Sequence, residues 1–269
     1  MLAAEVADWP VGVAAVAVVG PDGVLARTGP DERLRWASVT KLLTAATVLL
    51  AADEGTVDLD EPAGPPGSTV RHLLAHASGL TLRGTTGPAA APGTVRIYSN
   101  KGYEELAELL VRRTGEPFAD RVRRRLLAPL RMRDTTLLGS PASGAVGPLA
   151  DLALFAHELL APVHLPPALL AEAVTCAYPG LPGELPGFGH QERNDWGLGF
   201  ELRDGKAPHW TSDGNSPRTY GHFGQAGSFL WVDPDADLAC VSLSDTPFGT
   251  WSADRWPRLS TRVLAALRG

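Results

Sequence analysis

The chain has 269 residues, of which 44% are hydrophobic and 20% are charged, a composition typical of a globular protein with a substantial core. A formal net charge of −6 and scattered arginines argue against nucleic acid as a partner. The first ten residues lack the pattern of a secretory signal, and the apolar run 11–20 is too short to span a bilayer. We therefore expect a cytoplasmic protein without a membrane partner. Two distant cysteines without CxxC spacing predict no metal site.

The first third of the chain predicts a β-hairpin followed by two helices. The apolar run 11–19 is rich in valine, and a Gly-Pro-Asp-Gly turn connects it to a partner strand at 24–27. A helix over 38–54 is apolar around most of its circumference, so we expect it to be buried. A second, short helix is predicted over 68–76, with Ser68 at its N-cap.

The middle of the chain is predicted to be helical, with a long loop on either side. Small and turn-forming residues at 83–93 predict an exposed loop that forms a candidate wall of a cleft. Glycine and proline at 178–194 predict the second loop. The helical patterns between them cover residues 101–114, 117–127, 149–160 and 166–175.

The last third returns to strand periodicity and ends in an amphipathic helix at 251–267. Strands at both ends of the chain, with helices between them, predict one sheet made from the two termini and an inserted helical subdomain. We expect an α/β part made of 1–37 plus 191–269 and a mostly helical part at 38–190, with the functional site in the seam. The predicted strands of this last third are 196–202, 228–232 and 238–243.

Four side chains carry a first chemical signal. Ser38 and Lys41 are three residues apart at a helix start, so they share one helical face, and the amine can take the proton of the hydroxyl. This requires burial and nearby positive charge to lower the pKa of the lysine. Tyr98 offers a phenol that can relay a proton, and Asn100 offers an amide that can hold lysine and substrate.

A second signal lies at 222–225, on the approach to a β-strand. His222 supplies an imidazole, and Gly224 allows the backbone to pass close to a ligand. An extended edge here can present a backbone N–H to a developing oxyanion. Each motif also has an ordinary structural interpretation: Ser38 or Asn100 as an N-cap, Tyr98 as packing, or His222 as a strand-end histidine. Their joint occurrence in this order favours catalysis.

Together these motifs resemble those of the serine β-lactamase and penicillin-binding-protein-like superfamily, in the branch of class C β-lactamases, DD-peptidases and related esterases. The resemblance covers roughly residues 12 to 245. It implies an α/β fold with an antiparallel sheet flanked by helices and an inserted all-α subdomain. The matching motifs are SxxK at 38–41, YxN at 98–100 and HxG at 222–224.

The resemblance also implies residue roles. It implies acyl transfer through a covalent intermediate at Ser38, without metal or cofactor. Lys41 and Tyr98 would share the proton transfers, Asn100 would orient, and His222 would border the site. The backbone N–H groups of Ser38 and Gln225 would form the oxyanion hole, with Phe223 and Gly224 beside the substrate.

One departure from the family pattern bears on the substrate. β-Lactam-directed members commonly carry KTG at the third motif, and His222 and Phe223 replace its cation and hydroxyl, which weakens recognition of a carboxylate. Phe223, with Trp196, Trp210 and Tyr220 expected nearby, suits an ester or acyl chain.

The predicted function is therefore a serine hydrolase or acyltransferase that acts on a small ester, amide or thioester. A β-lactamase or D-amino-acid peptidase is one alternative, and a non-catalytic binding or regulatory module that keeps the fold is another. An α/β-hydrolase is disfavoured because the chain has no GxSxG motif. A zinc hydrolase of the HExxH type is disfavoured because that motif is also absent.

Overall fold

The computed structural model describes residues 2–85 and 87–267. Its α-helices are α1 Leu2–Ala7, α2 Thr40–Asp53, α3 Val70–Leu74, α4 Asn100–Thr114, α5 Phe118–Val122, α6 Leu149–Leu160, α7 Pro167–Ala173 and α8 Thr250–Leu267. A short 3₁₀ helix, Ala37–Val39, precedes α2, and a π-helical turn, Arg123–Leu127, continues α5. Within these residues, no helix has both the length and the apolar character that crossing a bilayer requires.

The strands are β1 Ala14–Gly20, β2 Gly23–Thr28, β3 Leu34–Arg35, β4 Thr136–Leu137, β5 Ala145–Gly147, β6 Gly183–Leu185, β7 Gly189–Gln191, β8 Glu201–Leu202, β9 Tyr220–Gly224, β10 Ser228–Asp233 and β11 Leu238–Ser244. Six of them form one antiparallel sheet in the order β2-β1-β11-β10-β9-β8. The first and last parts of the chain meet where β1 pairs with β11. This confirms the predicted α/β fold with an antiparallel sheet.

Helices cover both faces of this sheet. Because side chains alternate along a strand, Val16 and Val18 of β1 pack into an apolar cluster with Trp256 of α8, whereas Ala17 and Val19 pack into the larger core on the opposite face. Helix α6 contacts β1, β10 and β11 on the larger core's side. Helix α6 lies within the predicted helical part 38–190, although it packs against the sheet. The predicted division of the chain into an α/β part and a helical part stays a prediction.

Helix α2 runs through the larger core and is buried from Thr40 to Ala51. Its threonines tolerate burial because their hydroxyls are hydrogen-bonded. The hydroxyl of Thr44 donates to the carbonyl of Pro141 at 2.6 Å, and that of Thr47 donates to the carbonyl of Leu43 at 2.8 Å. The bond from Thr44 also ties α2 to the distant segment at 141, one turn after Lys41.

The second predicted helix is shorter than expected and has a different cap. Helix α3 covers only Val70–Leu74, and Thr69, not Ser68, is its N-cap. The Thr69 side chain accepts a hydrogen bond from the backbone N–H of His72, and the His72 ring accepts one from the backbone N–H of Thr69. This reciprocal pair satisfies two N–H donors at the start of the helix, which favours Thr69 over Ser68 as the N-cap.

Two further predictions, for the segments 196–202 and 178–194, need correction. The predicted strand 196–202 is a strand only at Glu201–Leu202, because the chain turns tightly at Gly199 (φ +97°), where a Cβ would lie 2.1 Å from Ala45 of α2. The predicted loop 178–194 contains a β-hairpin, β6 and β7. The predicted loop at 83–93 has no regular element among its described residues, and Thr86 lies outside them.

Candidate active site

Ser38 and Lys41 lie together at the start of the central helix. Ser38 is in the short 3₁₀ helix before α2, and Lys41 is in the first turn of α2. Lys41 Nζ is 3.4 Å from Ser38 Oγ, 2.7 Å from Asn100 Oδ1 and 2.9 Å from the carbonyl oxygen of Ala142. The amine thus has three polar neighbours, and the Ala142 carbonyl was not among the predicted site groups.

The ionisation of Lys41 is set by its environment. The residue is fully buried, and burial lowers the pKa of Lys41 from 10.5 to about 7, while the carboxylate of Glu104 acts in the opposite direction. Burial therefore does what the sequence predicted. The expected contribution of nearby positive charge is not found among the causes of the shift. Near neutral pH, a large fraction of the amine is uncharged.

A neutral Lys41 amine has two N–H donors and one lone pair. Two of its three neighbours, Asn100 Oδ1 and the Ala142 carbonyl, can only accept hydrogen bonds, so they take the two N–H groups. The remaining neighbour, the Ser38 hydroxyl, is able to donate. The lone pair is therefore left for the Ser38 proton, which is the geometry that a general base requires.

Tyr98 lies between Lys41 and the third motif. Its ring centroid is 4.7 Å from Lys41 Nζ, and its hydroxyl is 3.1 Å from Nε2 of His222. Burial raises the pKa of Tyr98, and an interaction with the Ser38 side chain opposes the rise. The phenol is therefore protonated at neutral pH and close to both the serine and the imidazole.

Asn100 is the first residue of α4 and not its cap. The preceding Ser99 is the N-cap, and its hydroxyl accepts a hydrogen bond from the backbone N–H of Gly102 at 3.1 Å. The structural interpretation of Asn100 as an N-cap is therefore wrong. Because Ser99 satisfies the helix end, the Asn100 amide is free to contact Lys41.

His222 and Phe223 lie on opposite faces of β9. His222 points toward Tyr98, and burial lowers the pKa of His222 to about 3, with the charge of Lys41 acting in the same direction. The ring is therefore neutral over the physiological pH range. Phe223 packs on the other face against Phe188 and Phe248, at centroid distances of 5.9 and 4.8 Å.

Gly224 allows β9 to approach the turn that carries Ser38. A Cβ at this position would lie 2.3 Å from the carbonyl oxygen of Trp36 and 2.5 Å from the hydroxyl of Ser228. A larger residue would therefore push the strand away from the serine. Gln225 follows directly, and its side chain turns outward to donate to the carbonyl of Phe248 at 3.2 Å.

A cavity of about 700 Å³ opens over Ser38, Tyr98, Asn100 and His222. Its wall is largely apolar, and one side of it is formed by the hairpin 183–191, in a segment predicted as a loop. The sequence signal that could have indicated this hairpin is the turn-forming pair at 186–187, Pro-Gly, between two short segments. The other lining residues are Thr81, Leu82, Val95, Arg96, Ile97, Pro182, Gly183, Glu184, Pro186, His190, Phe223 and Gln225.

Three aromatic residues expected near the substrate do not line this cavity. Trp196 packs behind the site, with its ring 5.3 Å from that of His222. Tyr220 points into the larger core, where its hydroxyl donates to the carbonyl of Leu159. Trp210 lies 5.8 Å from Phe223 in the cluster on the opposite face. The predicted wall at 83–93 contributes through flanking residues, not through its own described residues.

Comparison with known proteins gives a match over nearly the whole chain. The profile of the family described as Beta-lactamase matches residues 9–265. The structure is similar to that of a beta-lactamase from Mycobacterium bovis (Mb2281c), with 50% sequence identity, a TM-score of 0.97 and 99% of each chain covered. It is also similar to EstCE1, described as a hydrolase with promiscuous acyltransferase activity, with 17% identity, a TM-score of 0.79 and coverage of 99% of this chain and 96% of EstCE1. At that identity the likeness shows the fold alone.

A curated relative matches a shorter stretch. The D-alanyl-D-alanine-carboxypeptidase/endopeptidase AmpH of Escherichia coli, in strains K12 and O157:H7, is 30% identical over 41% of this chain. The match spans 38% of the length of AmpH.

Proposed function

Because this chain belongs to the beta-lactamase family, we propose that it is a serine hydrolase or acyltransferase that forms a covalent acyl-enzyme at Ser38. The proposed substrates are small esters, amides or thioesters. The observation that carries the proposal is the environment of Lys41. Its amine is buried and has a pKa of about 7, and among its three hydrogen-bond neighbours in the described residues only the Ser38 hydroxyl can donate a proton to it.

In the proposed acylation step, neutral Lys41 takes the hydroxyl proton while Ser38 Oγ attacks the substrate carbonyl carbon. The carbonyl π electrons move to oxygen, and the backbone N–H groups of Ser38 and Gln225 donate to this oxyanion. When the intermediate collapses, the bond to the leaving group breaks. The proton held by Lys41 then passes through the Tyr98 hydroxyl to the leaving group.

The contact between Tyr98 and His222 suits this relay. With its pKa near 3, His222 stays neutral, so it does not compete for the transferred proton. When Nε2 of His222 carries the ring hydrogen, it donates to the phenol oxygen and leaves the phenol hydrogen free for the relay. Water or another nucleophile would resolve the acyl-enzyme by the same path in reverse.

The cavity favours substrates without a carboxylate. Arg96 is the cation in its lining, and the Arg96 guanidinium donates to the backbone carbonyls of Ala75, Ala177, Tyr178 and Asn194. Those bonds hold the guanidinium inside the protein, and Arg96 as a whole is only 2% exposed. No other arginine or lysine lines the cavity among the described residues, so a substrate carboxylate would lack a permanent cation as its partner.

A β-lactam or D-amino-acid peptide is the second candidate substrate. The 50% identity with the Mycobacterium bovis protein described as a beta-lactamase favours it. The two candidates differ in the substrate carboxylate, so parallel turnover of p-nitrophenyl esters and of nitrocefin separates them. We expect kcat/KM to be higher for the esters.

Intact-mass analysis with a fluorophosphonate probe tests the acyl-serine proposal. We expect one adduct on the wild-type chain and none on Ser38→Ala. Ser143→Ala is the matched control, because this half-buried serine makes no side-chain hydrogen bond within the described residues; it should label normally. A chain that forms no adduct with fluorophosphonate or with acyl probes and turns over neither substrate would refute the proposal and favour a non-catalytic module.

A further inference from the structure

His76 holds the backbone on both sides of Tyr98. Its carbonyl oxygen accepts a hydrogen bond from the N–H of Ile97 at 2.9 Å, and its ring Nδ1 accepts one from the N–H of Ser99 at 3.1 Å. In an extended segment, the N–H groups of alternate residues point to the same side. A single residue therefore supplies both acceptors that a neighbouring strand would otherwise supply around Tyr98.

The ring of His76 also packs directly against the phenol. The ring centroids of His76 and Tyr98 are 4.6 Å apart, and those of His76 and Tyr103 are 5.2 Å apart. Trp196 closes the cluster edge-on to His76, at 4.7 Å. His76 is only 1% exposed. The position of the Tyr98 ring is thus constrained by the same side chain that constrains its backbone.

The backbone of His76 is in a conformation that histidine rarely adopts. It follows the end of α3 with φ +55°, in the left-handed region where glycine or asparagine is usual. A residue that only ended the helix would be more stable here as glycine. The ring that contacts Tyr98 and Ser99 offers a reason for histidine at this position.

The His76 ring is neutral and has a defined tautomer. Burial lowers the pKa of His76 well below 6.5, and the charges of Lys41 and Arg96 act in the same direction. Because Nδ1 accepts from the Ser99 N–H, the ring proton is on Nε2, which has no hydrogen-bond partner among the described residues. The ring therefore acts as a fixed acceptor and packing surface.

We propose that His76 is a positioning residue that sets the Tyr98 hydroxyl at its distance from Ser38, Lys41 and His222. The inference rests on the proposed acyl-serine chemistry, since the Tyr98 hydroxyl matters there as a proton relay. His76 touches neither the cavity nor the reacting atoms, so its effect would pass through Tyr98 alone.

A double-mutant cycle with Tyr98→Phe tests this proposal. His76→Gly suits the positive φ but removes the ring and the acceptor, whereas His76→Asn suits the positive φ and keeps a short acceptor. We expect His76→Gly to lower kcat for a p-nitrophenyl ester roughly tenfold or more with KM nearly unchanged, and His76→Asn to recover part of the loss. In the Tyr98→Phe background, neither substitution should lower kcat further.

Equal fold losses in both backgrounds would overturn the proposal, because they would indicate a general structural role. Fluorophosphonate labelling of Ser38 in each variant counts the competent sites, so a failure of the acyl-serine proposal is recognised separately. If His76→Gly does not fold, His76→Asn, which also suits the positive φ and removes the ring, replaces it in the cycle. A crystal structure of the variant used gives a readout independent of activity. Retention of the 3.1 Å distance between the Tyr98 hydroxyl and His222 Nε2 would also overturn the proposal.

Discussion

Acylation of Ser38 should depend on pH through the ionisation of Lys41. With a pKa of about 7, the amine is roughly 1% neutral at pH 5 and roughly half neutral at pH 7. The acylation rate should therefore rise roughly 50-fold between these values and change by only about a factor of two above pH 7. The pKa of His222 is about 3 and that of Tyr98 is raised, so neither adds a second limb. Burst kinetics with a p-nitrophenyl ester measure the profile.

A change at Glu104 should move this profile in a known direction. The Glu104 carboxylate raises the pKa of Lys41, so Glu104→Gln should shift the limb to lower pH. Glu105→Gln is the matched control, because Glu105 is the next residue on the same helix and pairs with Lys101 at 3.0 Å; its profile should match the wild type. A wild-type rate independent of pH from 5 to 9, or a limb near pH 10, would refute Lys41 as the base.

Three further predictions concern stability, backbone approach and substrate choice. The folded-state pKa of Lys41, about 7, lies below its ordinary value of 10.5, so between these two pH values the unfolded chain binds more protons than the folded chain. The free energy of unfolding therefore rises with pH in this range. From pH 7 to 9 it should increase by about 2 kcal/mol more for the wild type than for Lys41→Met, as measured by urea denaturation. Gly224→Ala should lower kcat roughly tenfold or more by displacing β9, whereas Gly205→Ala, with open space at its Cβ, should not; ester turnover decides. Combined His222→Lys and Phe223→Thr should raise the nitrocefin-to-ester ratio of kcat/KM, and an unchanged ratio would mean that this edge does not meet the substrate.

Local spacing accounts for the part of the site that the sequence predicted. Ser38 and Lys41 are separated by one helical turn, so any helix that starts there brings them together. The motif at 98–100 and the motif at 222–225 each have a definite chemistry, and their order resembled a known family. In the structure, the Tyr98 hydroxyl is 3.1 Å from Nε2 of His222, although 124 positions separate the two residues in the chain.

The parts that were missed or misplaced depend on contacts between distant segments. The Ala142 carbonyl on Lys41 and the ring of His76 beneath Tyr98 come from segments with no catalytic signature of their own. Tyr220 was expected near Phe223 and the substrate. Tyr220 shares one face of β9 with His222, but two residues earlier along the strand that face packs against the larger core and not against the cavity.

The sequence by itself determined the strands β1, β2, β10 and β11, the longer helices, the burial of α2 and the residue types available for acyl chemistry, because hydrophobic period and short-range spacing decide these locally. Only the tertiary structure decided which side chains line the cavity and how far the pKa of Lys41 falls. The proposed role of Lys41 as a base likewise depends on the groups that the fold places around its buried amine: two carbonyl oxygens, one hydroxyl and a distant carboxylate. Those groups come from three separate segments, and no pattern within a single segment specifies their distances.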